Sequence, residues 1–306
     1  DLTAVAVRRI TSIEGFDLRG AQVYESMEQM FEFQQLDAVV VATPPAKHLE
    51  STQMAAERGI HVFCEKPMAM KLADGRRMAA ACKKGGVRFT IGFVRRFCPQ
   101  WAKMKQIAQA GTLGSPVIWR FAAGGRPANP WFRDENKGGG PLLDGAIHNY
   151  DFALQMLGPA ASVQASSAQF DSTSVGADTA SAIINFVSGD QHTLIWSWGM
   201  TPGAPSAHLN DLIGPKGTLQ FGMTAATAPK GFDPKAQGAF TFKGKGGRER
   251  VFTYRQRDMF LDQAKHVVGC YEKGEQPLAT GADGLAALEL GLAVLKSGKA
   301  RRTIAL

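Results

Sequence analysis

Long apolar runs are missing from this chain. Nothing among its 306 residues approaches the roughly 18 consecutive apolar residues of a membrane-spanning helix, so no membrane partner is expected. No secretory signal pattern stands at the first residue, although the chain opens at Asp1 rather than at a methionine, so a targeting segment or more could have been removed. Cysteine is scarce: Cys64, Cys82, Cys98 and Cys270 form no Cys-x-x-Cys pair and no Cys/His spacing suited to a metal, which points to free thiols, a reducing cytoplasmic setting and no metal site. Low-complexity tracts and internal repeats are absent. Acidic residues are outnumbered, giving a net charge of +8. The basic residues are scattered as pairs such as Arg8-Arg9, Arg76-Arg77 and Arg95-Arg96, without the stripe or module of a nucleic-acid binder. A phosphate-bearing cofactor or an anionic substrate accounts for the charge equally well.

What is present divides the chain in two. Up to about residue 92, short apolar runs alternate with helical patterns, the signature of βαβ units and a parallel sheet. Strands are expected over residues 2–7, 37–42, 61–64 and 87–91, with helices over 26–33, 47–58 and 72–84. The valine-rich run at 37–42 reads as buried on both faces. Beyond residues 92–96 come helices at 99–110 and 142–157. Extended stretches follow at 162–170, 177–187, 191–198, 208–213, 218–221 and 239–242, then helices at 259–272 and 283–297. Strands in succession imply a large, mainly antiparallel open sheet. The expected fold class is therefore α/β, a Rossmann-type domain over 1–94 followed by an α+β domain over 95–306.

Cys64-Glu65-Lys66-Pro67 follows directly on the apolar His61-Val62-Phe63. Ligands of open α/β sheets collect outside the carboxyl ends of the strands, so Lys66 is placed for one; a plain surface turn is the alternative. Asp144 and His148 stand four residues apart, on one face of the expected helix. A histidine exchanges protons near neutral pH, and a carboxylate one turn away orients its ring; an ordinary helix-surface pair would look the same. Gly138-Gly139-Gly140 just upstream permits close backbone approach to a ligand at the helix start.

Ala42-Thr43-Pro44-Pro45 with His48, then Glu65-Lys66-Pro67, then Gly92-Phe93-Val94-Arg95-Arg96-Phe97, then Gly138-Gly139-Gly140 leading to Asp144 and His148, occur in one order and spacing. In this the chain resembles the glucose-fructose oxidoreductase / inositol dehydrogenase / MocA family, written Gfo/Idh/MocA. Gly214-Pro215-Lys216-Gly217-Thr218-Leu219 and Asp283-Gly284-Leu285-Ala286-Ala287-Leu288-Glu289 are similar to its later segments. The resemblance implies a dinucleotide-binding first domain, a second domain whose open sheet forms a homo-oligomer interface, and a cis peptide before Pro67. It implies Lys66, Asp144 and His148 as catalytic residues facing a nicotinamide, and a sugar, polyol or related cyclic substrate. Lys66 would stabilise the charge developing on the substrate oxygen, and His148 could accept the hydroxyl proton. Asp144 would hold the imidazole or contact a second hydroxyl. The expected cofactor contacts are Arg8, Arg9, Thr43, Pro44, His48, Glu65, Lys66 and Arg95. A non-catalytic dinucleotide sensor on the same fold is the alternative.

Two features depart from the family. No Gly-x-Gly-x-x-Gly turn is present, and residues 2–7 resemble the second strand of such a domain. The central first strand would then be missing, leaving two unpaired edges within the sheet. Either the sequence is a truncated piece, the expectation that Asp1 favours, or the member is degenerate. Arg8-Arg9 stands where the family often has an acidic residue for the ribose, so NADP is expected over NAD. Gly15 weakens the helix usual after that strand. Arg95, Arg96 and Trp131-Phe132-Arg133 could contact substrate across the cleft, or the arginines could anchor the interdomain turn through carboxylates. Trp196 and Trp198 are expected to pack on a sheet face.

Overall fold

In the computed structural model, which describes residues 1–127 and 129–306, the first domain is built from short parallel strands. These are β1 (Ala4–Ala6), β2 (Gln22–Tyr24), β3 (Ala38–Val41), β4 (His61–Cys64) and β5 (Phe89–Ile91), alternating with helices α1 (Met27–Phe33), α2 (His48–Glu57) and α3 (Leu72–Lys84). Ser26 caps α1 by accepting the Gln29 N–H at 3.2 Å, the contact its position before the apolar run predicts. Gly59 follows α2 with φ +72, a conformation that favours glycine. The β1–β2 pair and the β3–β4–β5 trio form separate hydrogen-bonded pieces. Neither the outer edge of β1 nor that of β3 is paired with a strand among the described residues, and Val40 on β3 is 67% exposed. After β1 the chain makes only a 3-10 turn, Ile10–Ile13, in keeping with the weakened helix.

The second domain is a nine-stranded mixed sheet in the order β13-β12-β11-β10-β6-β9-β8-β7-β14. Its strands are β6 (Ile118–Gly124), β7 (Ala160–Ala168), β8 (Thr179–Phe186), β9 (Gln191–Ser197), β10 (Ala207–Gly214), β11 (Gly217–Phe221), β12 (Gln237–Gly244), β13 (Glu249–Arg255) and β14 (Ile304–Ala305). All neighbours are antiparallel except β6 and β9. The sequence reading omitted β2, β6, β13 and β14. In β6 the period-two signal exists, since Trp119 and Phe121 point inward and Arg120 outward, but the Ala-Ala-Gly end dilutes it. Helices α4 (Pro99–Gln109), α5 (Ile147–Leu157), α6 (Met259–Lys273) and α7 (Gly281–Ala300) complete the chain.

Helix α7 joins the two domains. Thr280 and Asp283 form a capping box at its start, and the Ile91 N–H donates to the Ala279 carbonyl at 3.0 Å. A Cβ on Gly284 would meet Ile91 and Met68 at 2.8 Å, so the helix lies directly on β5 and the turn after β4. Among the described residues no helix is long and apolar enough to cross a membrane.

The core of the second domain is aromatic. Trp101, Trp119 and Phe152 meet edge to face, and the His192 ring stacks on Trp119 with centroids 3.9 Å apart. Burial pushes the His192 imidazole down to about 4, so it is neutral in the folded protein. Unfolding below about pH 6.5 lets this ring bind a proton, so the unfolded state gains protons and stability falls with pH, by about 1.4 kcal/mol per unit until the folded value is reached. Replacing His192 with phenylalanine should flatten the fall in melting temperature between about pH 6.5 and 4; an unchanged slope would place the protonation elsewhere.

Candidate active site

The site lies where the strand ends of the first domain face the start of α5. The Glu65 N–H donates to the Val41 carbonyl and the Gly92 N–H to the Cys64 carbonyl, which gathers the ends of β3, β4 and β5. Thr43 and Pro44 lie exposed at the end of β3, and Arg8 and Arg9 lie exposed just past β1. The Lys66–Pro67 peptide is cis, as the family resemblance implies.

His48 lies beneath the site. It was expected on the cofactor, but it is 1% exposed, with Nδ1 3.1 Å from the Pro67 carbonyl and Nε2 2.7 Å from that of Thr43. Both nitrogens face backbone carbonyls, so the ring fastens the turn after β3 to the turn carrying Lys66. The ring thereby helps to position the turn that carries Lys66.

Lys66 reaches across the domains. Its Nζ donates to Asp144 Oδ1 at 2.9 Å and to the Asp144 carbonyl at 3.2 Å. Burial pushes the Asp144 carboxyl up and the Lys66 ammonium pulls it back. Glu65 turns the other way: its Oε2 accepts the Lys66 backbone N–H at 3.2 Å, and a Cβ on Gly92 would lie 2.9 Å from it. Gly92 is therefore needed for the close approach of Glu65, whose carboxyl is also raised by burial.

The expected Asp144–His148 pair does not form. Residues Pro141–Gly145 wind as a single π turn, closed by the Ala146 N–H on the Pro141 carbonyl at 2.9 Å, and α5 starts only at Ile147. The wider turn takes Asp144 off the face it would share with His148 in a continuous α-helix, and the carboxylate pairs with Lys66 instead. His148 Nδ1 is buried without a partner. Burial, then the Lys66 charge, then that of Arg95, hold its pKa well below the usual histidine value. The ring is neutral and packs edge-on against Phe93 at 6.2 Å, a neighbour that the sequence reading did not single out.

The glycine run upstream has a packing explanation. Gly139 and Gly140 have φ of +85 and +67, and a Cβ on Gly138 would lie 3.0 Å from the Trp131 ring. Trp196 on β9 and Trp198 just past its end pack beneath the π turn, leaving no space for a Cβ on Gly145. Arg133 is corrected as a substrate contact: it is buried and bound to Asp171 at 2.5 Å.

The paired arginines divide. Arg96 anchors the domains, with Nε 3.0 Å and Nη2 2.5 Å from the Asp151 carboxylate and Nη2 2.9 Å from Asp283. The Arg95 guanidinium lies 5.3 Å over the Trp101 ring of α4. Sequence gave no sign that Asp151 and Asp283, far apart in the chain, would share one arginine.

A parallel-sheet nucleotide domain, joined through Arg96 and α7 to an open-sheet domain with lysine, carboxylate and neutral imidazole at the junction, is the architecture of a two-domain NAD(P)-type oxidoreductase. Residues 1–93 match the family model described as oxidoreductase family, NAD-binding Rossmann fold, and residues 101–220 match the GFO/IDH/MocA C-terminal domain. The chain belongs to the Gfo/Idh/MocA family. It is 30% identical over 291 residues to a myo-inositol 2-dehydrogenase of Thermotoga maritima, covering 93% of this chain and 84% of that one. It is 26% identical to a scyllo-inositol 2-dehydrogenase (NAD(+)) of Bacillus subtilis, over 89% of this chain and 78% of the relative. Among solved structures it resembles the aldose-aldose oxidoreductase of Caulobacter crescentus complexed with glycerol, with TM-score 0.81, 26% identity and coverage of 100% and 92%.

Proposed function

We propose that this chain is an NADP-dependent oxidoreductase moving a hydride between nicotinamide and a hydroxyl or carbonyl carbon of a sugar, polyol or related cyclic compound, with NAD the alternative dinucleotide. The observation that carries the reading is the Lys66–Asp144 pair at 2.9 Å, set beside a neutral His148 at the strand ends. The inositol dehydrogenases and the aldose oxidoreductase among its relatives support the substrate class. In this reading the dinucleotide lies on residues 1–94 and substrate and subunit contacts on 95–306.

The residues fit the nicotinamide end of a dinucleotide. Glu65 packs against a glycine that has no room for a side chain, and His148 Nδ1 is a buried ring nitrogen with no partner. Thr43, Pro44 and Glu65 would hold the cofactor, and Arg8 and Arg9 a 2′-phosphate. Bound dinucleotide would supply the hydride acceptor. Lys66 binds the substrate oxygen as its charge develops, while Asp144 keeps the ammonium in place. His148 takes the hydroxyl proton at Nε2 as the carbon–hydrogen bond breaks and the carbonyl forms. Phe93 shields the imidazole from water.

The subunit surface in this proposal is the outer face of the sheet. Leu209 on β10 stands opposite Ala122 on β6, and Ala122 opposite Ile195 on β9, with Leu209 and Ile195 42% and 46% exposed. Such a row suits a second copy of the chain, and sedimentation equilibrium reads its presence. Titration with both dinucleotides tests the cofactor. NADP should bind more tightly than NAD; the reverse order would overturn the role of Arg8 and Arg9. Tight binding without turnover of any polyol would instead support a dinucleotide sensor.

A further inference from the structure

A histidine that exchanges protons is usually fixed by a hydrogen bond at its second ring nitrogen, which sets both tautomer and ring plane. His148 has none: Nδ1 is buried without a partner among the described residues, and Asp144, the carboxylate expected beside it, is bound to Lys66. Packing must hold the ring instead. The ring that packs on it is Phe93, with centroids 6.2 Å apart and planes at 71°. Phe93 is itself held by its backbone. Its N–H donates to the Ile91 carbonyl at 2.7 Å, the Val94 N–H donates to the Gly92 carbonyl at 2.9 Å, and φ −81, ψ 69 at Phe93 is the inverse γ conformation. The side chain is 1% exposed. The Arg96 guanidinium lies 5.6 Å over its ring, so Phe93 touches both the imidazole and the ion cluster that joins the domains.

We propose that Phe93 is a positioning residue for the proton transfer: its ring fixes the plane of the His148 imidazole and keeps water from it, so that His148 remains a neutral acceptor as the medium becomes acidic. This rests on reading His148 as the group that takes the hydroxyl proton. Charged groups reach the site from each neighbouring element. Glu65 and Lys66 come from the turn after β4, the Glu65 carboxylate on the Lys66 backbone N–H and the ammonium on Asp144 of the π turn. Arg95 and Arg96 come from the 3-10 turn Val94–Phe97, and Arg96 is paired with Asp151 of α5 and Asp283 of α7. Burial comes ahead of Lys66 and then Arg95 in holding the imidazole neutral. Phe93 supplies part of that burial. Opening this side to water therefore raises the proton affinity of His148 toward that of an ordinary histidine, and acid then removes the acceptor.

The test follows the His148 ring by NMR on the full-length protein carrying isotope-labelled histidine, for the native chain, Phe93→Ala and Phe93→Leu, with the signal assigned by its loss in His148→Gln. In Phe93→Ala the midpoint of protonation should rise by about one pH unit or more, toward about 6.5. The acid limb of kcat/KM with a polyol should rise with it. Phe93→Leu keeps most of the apolar volume but not the flat ring. Its midpoint should stay close to the native one, while kcat counted per dinucleotide-binding site should fall about tenfold with KM unchanged. Loss of folded protein would lower the number of such sites, not the midpoint or the turnover of each. An unmoved midpoint in Phe93→Ala would overturn the proposal. So would native turnover per site in Phe93→Leu, a result that decides even where Phe93→Ala fails to fold. Because the titration is read without substrate, its failure is distinguishable from a failure of the oxidoreductase reading, which would show as no dinucleotide reduction by any polyol in the native chain.

Discussion

Lys66→Ala should lower kcat by about 100-fold or more while leaving the dinucleotide dissociation constant close to that of the native protein. The ammonium is the group that meets the oxygen on which negative charge grows, so its removal acts on the transition state more than on the ground state. Folding should survive. Asp144 would lose its partner, but burial already raises its carboxyl, and without the ammonium that carboxyl would take up a proton rather than remain a buried charge. Steady-state kinetics with a saturating polyol separates the outcomes. An unchanged kcat would remove Lys66 from the chemistry, whereas a raised KM at constant kcat would make it a binding group only.

Arg96→Met should destabilise the protein by about 3–5 kcal/mol, the cost of breaking a buried ion pair from one side. The Arg96 and Asp151 side chains are 8% and 3% exposed, and Asp283 completes the cluster from α7. Burial pushes the Asp151 carboxyl up, against the hydrogen bonds from Arg96. Burial also acts upward on Asp283, but the hydrogen bonds from Arg96 and Thr280 hold it below the usual carboxylate value. Without the guanidinium, Asp151 is a buried charge with no cation. Its protonation relieves the loss, so the deficit against the native protein should shrink as pH falls through the carboxylate range. Chemical denaturation at two pH values measures both effects. A loss below about 1 kcal/mol would mean that water already reaches the cluster.

The first domain was legible because its strands are short, apolar and bounded by proline and glycine, although β3 is not buried on both faces as expected: Ala38 and Val40 are exposed. β4 is found at residues 61–64 as expected, and α3 at 72–84. Such local signals carry through to the fold. β6, by contrast, occupies the middle of the large sheet, and its Arg120 is an outward residue whose partner, Asp211, comes from β10. A charge in mid-strand hides the pattern until its neighbour is known. The candidate site was legible as a set of residues and illegible as a set of contacts. Lys66, Asp144 and His148 were singled out from motif order, but the pairing of Asp144 with Lys66 depends on a π turn that helical periodicity does not reveal. The clamp at His48 depends on carbonyls of Thr43 and Pro67 that carry no side-chain signal. The separation of Arg95 from Arg96 depends on Asp151 and Asp283, which tertiary packing alone brings near, while Trp101 follows closely in the chain.

The central claim is direct transfer of hydrogen from substrate carbon to cofactor at the Lys66–His148 site. It is tested by incubating the protein with NADP and a polyol or sugar deuterated at its carbinol carbon, and weighing the reduced dinucleotide. The account predicts a deuteron on the nicotinamide in the native protein and none above background in Lys66→Ala. Reduced dinucleotide carrying only protium, with the label lost to solvent, would contradict it.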